Sequence, residues 1–212
     1  SSGRTEAETI EAHKKAAKLM AKNDVTLEDL QARNPDLISG TRIIGRLEWI
    51  VAQNILHALE TLTGCSTWYT ILRTASFKRS DRKEVTYAGF KSDTEQFRWL
   101  LDRLLDAALT QAKALPESVD KKSFLMGFGA VLQCRLLQLA RSLTHEREEL
   151  ISKGNTDLIV RKDVMVKDFV QGLVGDFVKA RKTGSNVKDH RAFSEGVQRG
   201  EEVVISTEIE ED

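Results

Sequence analysis

Apolar residues recur at the three- and four-residue spacing of an α-helix through most of this chain. Residues 5–22 place alanines, Leu19 and Met20 on one such face, and Thr26 with Asp29 begins a short second helix. Both helices should end before Pro35, because the residue before a proline is biased away from the helical region. The pattern predicts a small helical module over residues 1–36.

Three longer amphipathic patterns follow, at about residues 41–63, 92–115 and 120–153. Gly64 and Pro116 end the first two, because glycine favours the left-handed C-cap and proline cannot continue a helix. The second and third carry the most regular apolar stripes. They are expected to form the spine of the core.

The period changes to that of a β-strand after Gly64. Residues 65–73 and 84–90 are rich in aromatic and β-branched side chains, which predicts an antiparallel hairpin at about residues 65–90 with a polar loop between. Short apolar runs at 156–160 and 202–206 are expected to add short late strands. The predicted fold class is α+β, mostly helical, with a small antiparallel sheet packed on the three long helices.

The last third of the chain predicts two further helices, one over residues 162–182 and a shorter one over residues 189–200. The first is weakened by Gly172 and Gly175, since a glycine in a helix costs about 1 kcal/mol relative to alanine. The expected domains are a helical module (1–36), an α+β domain (39–207) and an acidic tail (208–212).

The composition gives no net charge that would attract nucleic acid, a membrane or an acidic partner, because 32 basic residues balance 32 acidic ones. Two scattered cysteines do not form a disulfide framework, so reduced, buried thiols are expected. No uninterrupted apolar run approaches the roughly 18 residues of a membrane span, and no signal-like N-terminal segment is visible. These features predict a cytoplasmic protein, in the bacterial host cytoplasm if the gene is phage-encoded.

The strand-to-helix junction in YAGFKSDTEQFRWLLDRL, residues 87–104, is the first place to seek a ligand. Ser92 and Glu95 have the spacing of a capping box, which would occupy the amides that a phosphate needs. A phosphate-binding loop also requires several glycines and a Lys-Ser or Lys-Thr pair, which this junction lacks. The motif therefore predicts a structural cap at Ser92.

Other catalytic motifs are incomplete. His145-Glu146 begins like a zinc-peptidase helix, but position 149 is Glu where the second histidine should stand. No Gly-x-Ser-x-Gly elbow is present, and neither cysteine has a local histidine. The sequence assigns no catalytic residue, cofactor or metal, and a hydrolase whose residues meet only in space remains an alternative.

The most uneven charge lies at the predicted hairpin tip, where five cations outnumber two acids around an aromatic residue. Such a basic ribbon can follow phosphates and stack a base. The alternative is a solubilising loop whose charges keep the strand edges away from other sheets. The candidate nucleic-acid contacts are Arg73, Phe77, Lys78, Arg79, Arg82 and Lys83.

Gly127 and Gly129 lie inside the third long helix, where together they cost about 2 kcal/mol. Close approach of another element, a helix or the strand pair, would compensate for that cost. A notch for a ligand is the functional alternative.

Several short strings resemble a family of bacterial and phage proteins of unknown function. Val25, Thr26, Asp29 and Leu30 match the end of its Ala-rich helical module. The companion C-terminal domain is matched by Trp49, Ala52, Gly64, Cys65, Ala88, Gly89, Phe90, Ser92, Asp93, Phe124, Gly127, Phe128, Ala192, Phe193, Gly196 and Gly200. The resemblance implies an α+β fold and a phage or prophage source, without an established activity.

The chain departs from that family at its start, since the module normally opens with a Leu-rich helix that is not seen here. The remaining Ala-rich helix would then leave an apolar face for self-association or for a partner. We expect a non-enzymatic accessory protein that binds a host or phage protein. Nucleic-acid binding through the basic hairpin is the first alternative.

Overall fold

A computed structural model describes residues 36–73, 79–151, 156–174 and 186–205. From Leu37 onward the chain forms one compact unit, which does not include Ser1–Asp36. The predicted helical module therefore lies outside the described residues. The elements are β1 (Leu37–Ile44), α1 (Arg46–Thr63), β2 (Ser66–Arg73), β3 (Arg79–Phe90), α2 (Lys91–Ala114), α3 (Lys121–Ile151), α4 (Thr156–Val174) and α5 (His190–Glu201).

The fold is α+β, as predicted: helices predominate, and the three strands form an antiparallel sheet in the order β1-β3-β2. The predicted hairpin is confirmed as β2 and β3. β3 begins earlier than expected, so residues 79–83 belong to a strand and not to the polar loop. Arg79 pairs with Arg73 of β2, and Lys83 pairs with β2 and β1, although their polar side chains did not indicate strand partners.

Strand β1 corrects the prediction that a helix begins near Thr41. Residues 37–44 pair along their whole length with β3, and the helix starts only at Arg46. Gly45 is the N-cap in an extended conformation, and its amide donates to the Glu48 carboxylate at 2.5 Å. That hydrogen bond caps the first turn of α1, so the helix begins after Gly45. The β-branched residues that precede Gly45 can therefore pair in the sheet.

The core lies between one face of the sheet, here called the inner face, and the helices. Helices α1 and α2 pack on the sheet, α3 packs on α1, and α5 packs on α3. The predicted apolar stripes of α2 and α3 are buried. The largest fully buried side chains are Phe97, Phe124, Phe128, Ile44, Ile55, Leu59, Leu100, Leu101, Leu104, Leu105, Leu125 and Leu132.

Two predicted late strands are wrong. Residues 156–160 form the start of α4, because their apolar positions continue in helical register into Val166 and Val170. Residues 202–205 form no strand, since Arg135 donates to the carbonyls of Gly200 and Val203 at 2.7 Å each. Those two bonds hold the segment against α3, away from any sheet edge.

Helix α3 is more apolar than the sequence scan suggested. From Lys121 to Leu143 it has the length and composition of a membrane span, a property that core helices of soluble proteins share. Half of its most apolar window is buried within the protein. Its contacts with α1 and α5 account for that burial.

Candidate functional site

The junction between β3 and α2 does not contain the predicted Ser92 cap. The strand continues through Phe90, which is the N-cap, so Ser92 is already the second residue of the helix. Its hydroxyl lies 3.5 Å from the Asp93 carboxylate, and Thr94 donates instead to the carbonyl of Lys91 at 2.8 Å. The capping-box prediction is therefore wrong, because the strand and helix join without an intervening turn.

Asp93 makes the main polar contact of this junction. Lys162 of α4 places its Nζ 2.6 Å from Asp93 Oδ2 and 5.1 Å from the centroid of the Phe90 ring. The Asp93 side chain is only 14% exposed, so its carboxylate is largely shielded from water, whereas the Lys162 side chain is 39% exposed. This ion pair links α4 to the start of α2.

Cys65 lies beside this junction and is buried. Burial raises the pKa of its thiol to about 12, so the sulfur is protonated at neutral pH. A protonated, buried thiol is a poor nucleophile and a poor metal ligand. Its neighbour Gly89 leaves the room that the sulfur occupies, since a Cβ there would lie 3.0 Å from Sγ. Cys65 therefore serves packing at this point of the sheet.

The predicted basic hairpin is only partly brought together. Arg73 and Arg79 are paired residues at the end of the sheet. Arg82 is exposed, whereas Lys83 points to the inner face and places Nζ 4.4 Å from the centroid of the Trp49 ring. Adjacent residues of a strand point to opposite faces, so Arg82 and Lys83 do not form one patch. Phe77 and Lys78 lie outside the described residues.

Metal-binding candidates are not assembled in the described part of the chain, where no group of three or more His, Cys, Asp or Glu side chains could hold an ion. His57 contacts Glu60 at 3.3 Å on the exposed side of α1. His145 and Glu149 fall in α3 at residues whose side chains the structure does not describe.

A shallow groove along α2 is occupied by charges of both signs. Asp102 accepts from Arg42 Nε at 2.8 Å and lies 3.8 Å from Arg98. Arg103 stacks over Trp99, with 5.1 Å between the guanidinium carbon and the ring centroid. The contact between Arg98 and Asp102 is ordinary ion pairing along a helix surface.

The glycines of α3 are explained by close packing of helices, as one of the two sequence alternatives proposed. A Cβ at Gly127 would overlap the carbonyl of Phe193 in α5, and a Cβ at Gly129 would lie 3.2 Å from the Cα of Val51. In turn, a Cβ at Gly196 would overlap the carbonyl of Phe124. The space at Gly127 and Gly129 is filled by neighbouring helices, so it is not a ligand notch.

The face of the sheet that points away from the core, here called the outer face, is covered at one end and open at the other. Helix α4 covers the first end with Val166 and Val170, which pack with Ala88. Leu37, Trp68, Phe90 and Phe169 complete this small cluster.

The other end, here called the open outer face, consists of two cross-strand rows. Pairing aligns Thr41, Thr86 and Trp68 in one row and Ile43, Glu84 and Thr70 in the next, so the members of each row point the same way. Ile43 is 48% exposed, and Thr41 and Thr70 are also exposed. This surface has an apolar and hydroxyl character with one acidic residue.

Sequence reasoning missed this surface because β1 was assigned to a helix. The β-branched residues Ile38, Thr41, Ile43 and Ile44 were the available signal. It is short and runs directly into the helical spacing of α1.

Comparison with known proteins finds no matching family model, no similar curated protein and no similar solved structure. The resemblance to the uncharacterised bacterial and phage family stays a prediction.

Proposed function

We propose that this chain is a non-enzymatic accessory protein of a phage or bacterium that acts by binding a host or phage protein. The observation that carries this proposal is the open outer face, where Thr41, Ile43 and Thr70 are exposed beyond the part of the sheet that α4 covers. The N-terminal Ala-rich helix predicted from sequence offers a second surface of the same kind.

The chemistry of the open outer face suits a protein partner. Ile43 supplies exposed apolar area, and the threonines supply hydroxyls that can donate or accept hydrogen bonds. Apolar area flanked by polar groups is the usual composition of a protein interface. An anionic ligand would be repelled by Glu84, which lies in the same row as Ile43.

Affinity capture from bacterial host lysate, quantified by mass spectrometry, tests the proposal. Wild type should retain a partner that the double variant Ile43→Glu, Thr70→Glu loses, because two new carboxylates would be desolvated in the complex. Lys113→Glu, at the exposed end of α2, is the matched control and should retain the partner. A partner held equally by all three proteins would contradict this surface.

Catalysis would contradict the proposal more directly. Turnover of a nucleotide, peptide or nucleic acid by purified protein, undiminished in the double variant, would identify an enzyme instead. No described cluster of residues favours a hydrolase, so we propose no reaction.

Nucleic-acid binding is the second candidate, and the pairing of Arg73 with Arg79 favours it. Backbone pairing places these two residues at one end of the sheet, and exposed Arg82 lies three residues further along β3. Contacts to phosphates release counterions, so affinity should fall steeply as salt rises.

Fluorescence anisotropy with labelled single- and double-stranded DNA and RNA measures that dependence. Replacing Lys78, Arg79, Arg82 and Lys83 with alanine should weaken binding and flatten the salt slope. Replacing exposed Lys91 and Lys113 with alanine should change it little. Absence of binding at low salt, or equal binding by the hairpin variant, would remove this candidate.

A further inference from the structure

The two edges of the sheet differ in which of their backbone groups a side chain occupies. On β2, the Glu60 carboxylate accepts from the amide of Thr67 at 2.7 Å and from its hydroxyl at 2.6 Å. A backbone amide bonded to a carboxylate is not available to a further strand. Helix α1 therefore blocks the β2 edge at this position.

The β1 edge has no such block at its centre in the described part of the chain, and near its end Arg42 donates to the carbonyl of Ile43 at 2.6 Å. β1 pairs with β3 along one side, and its residues Ile38, Ser39, Thr41 and Ile43 are exposed. Natural edge strands are protected by lysines, prolines or bulges. β1 contains none of these within its eight residues.

The single charge of β1 is bonded within its own chain. Arg42 donates to Asp102 of α2 at 2.8 Å, to Glu48 of α1 at 3.1 Å and to the carbonyl of Ile43 at 2.6 Å. Like charges on neighbouring edges are what keep most sheets apart. Here the arginine is neutralised by two carboxylates of its own chain.

The side-chain pattern of β1 is self-complementary about Gly40. In an antiparallel pair of two copies centred on Gly40, Ser39 of one copy lies opposite Thr41 of the other, and Leu37 lies opposite Ile43. Hydroxyl would meet hydroxyl at the centre, and apolar side chains would meet at both ends of the outer face. Residues an even number apart share a face, so this register is compatible with a two-fold axis perpendicular to the sheet.

On the inner face, the space beside Gly40 is filled by a residue of the same chain. The Tyr87 ring lies over it, because a Cβ at position 40 would approach that ring to 2.7 Å. The tyrosine is almost fully buried, so the centre of the contact is already packed before a second copy arrives.

We propose that two copies of this chain pair antiparallel through their β1 edges, with Gly40 opposite Gly40, and form a continuous six-stranded sheet. The two open outer faces then lie on the same side of that sheet. This inference rests on the β1 edge alone and does not depend on the proposed partner binding. It differs from self-association through the N-terminal helix, which the sequence suggested.

Analytical ultracentrifugation of the full chain over a range of concentrations tests the dimer. Thr41→Lys should raise the dissociation constant by about tenfold or more, because each dimer gains two lysines near its axis. Thr70→Lys places the same side chain on the exposed outer face of β2 and should leave the dissociation constant unchanged. It alters the open outer face without touching the β1 edge, so loss of a partner and loss of the dimer can be told apart.

Cysteine cross-linking tests the register and does not require Thr41→Lys to fold. In a Cys134→Ser background, which removes the exposed native thiol, a mixture of the Ser39→Cys and Thr41→Cys variants should be joined between copies by a short bis-maleimide reagent. Ile43→Cys alone should not cross-link, since the two residues 43 would be roughly 20 Å apart along the strands.

Three results would overturn the proposal. They are a monomer at every concentration, a dimer that Thr41→Lys and Thr70→Lys affect equally, and cross-linking at residue 43 instead of residues 39 and 41. The second would point to another surface, such as the N-terminal helix.

Discussion

Helices α5 and α4 are both attached to the outside of the fold, but they are attached by different kinds of contact. α5 packs on α3 with backbone against backbone, because Gly127, Gly196 and Gly200 have no side chain at the crossing. α4 packs on the sheet through side chains. Its buried cluster has three members, Ala88, Val166 and Val170, and is separate from the main core.

Polar contacts reinforce the same difference. The hydroxyl of Ser123 accepts from the amides of Lys188 and Asp189 at 3.1 Å each, and donates to Asp120 at 2.6 Å. The starts of α3 and α5 are thereby joined through a buried side chain. α4 has the Lys162 ion pair with Asp93, in which the lysine is 39% exposed.

The short motifs that resemble the bacterial and phage family therefore consist largely of residues that make packing contacts. Phe124, Gly127 and Phe128 from α3 meet Phe193, Gly196 and Gly200 from α5 in one interface. A backbone contact leaves no room for a Cβ, whereas a side-chain contact can be repacked. We expect α5 to be fixed with the core and α4 to separate from it at lower cost.

The largest expected effect is at Gly196. Gly196→Ala should lower the free energy of unfolding by about 3 kcal/mol, because the new Cβ overlaps the carbonyl of Phe124. The matched control is Gly172→Ala in α4, where a Cβ would meet no atom within 4 Å. It should raise the free energy by about 1 kcal/mol through helix propensity. Urea denaturation measures both changes in the free energy of unfolding. If the two variants changed it in the same direction, the proposed difference between α5 and α4 would be contradicted.

Val170→Ala should cost about 2 kcal/mol locally, from the lost methyl groups and the cavity that they leave. Val170 is 4% exposed and packs in the small cluster under α4. Hydrogen exchange should show faster exchange of the α4 amides with little change in α3. The same experiment on Leu132→Ala should accelerate both helices, since Leu132 lies in the main core. Equal loss of protection in α3 and α4 for Val170→Ala would show that α4 is part of the core unit.

Lys162→Met should destabilise α4 by about 1 kcal/mol, because it leaves the shielded Asp93 carboxylate without its cation. Faster exchange of the α4 amides would report the loss. Lys113→Met, at the exposed end of α2, controls for the general effect of removing a cation. An unchanged α4 would mean that the apolar cluster alone holds the helix.

The smallest expected effect is a pH dependence at the start of α3. The Ser123 hydroxyl, by its hydrogen bond, lowers the pKa of Asp120 below its ordinary value of 3.8. Because the folded pKa is the lower one, this contribution to stability is complete above pH 3.8 and is lost as pH falls through the folded pKa.

Thermal melts of wild type and Asp120→Asn should therefore differ most near pH 6 and converge as the pH falls below 3.8. Asp106→Asn, on the exposed side of α2, gives the change caused by removing a surface carboxylate. A difference from wild type that stays constant with pH would contradict the role of Asp120.

Local pattern was sufficient where one period continued over many residues. The stripes of α2 and α3 and the aromatic, β-branched run of β2 appear in the structure as predicted. It was insufficient at Ile43 and Ile44, which satisfy the strand period of β1 and the helix period of α1 equally well. Pairing with β3, more than 40 residues away, decides between them.

The candidate site, likewise, could be predicted from the sequence only in part. The sequence located the cations of the hairpin but not their directions, which depend on the register that places Lys83 over Trp49. The open outer face could not be predicted, since it requires β1 to be a strand and α4 to end its cover near Ala88.

By itself, the sequence determined the fold class, the main helices, the hairpin and the helix-propensity cost of Gly127 and Gly129, which either close packing or a ligand would compensate. These depend on periodicity and on the missing Cβ, which are local properties. The tertiary structure alone decided that 37–44 is an edge strand, that Ser92 is not a cap, and that α5 is what fills the glycine notch of α3. Each of these depends on which distant segment supplies the hydrogen bonds or the contact, and no local pattern records that choice.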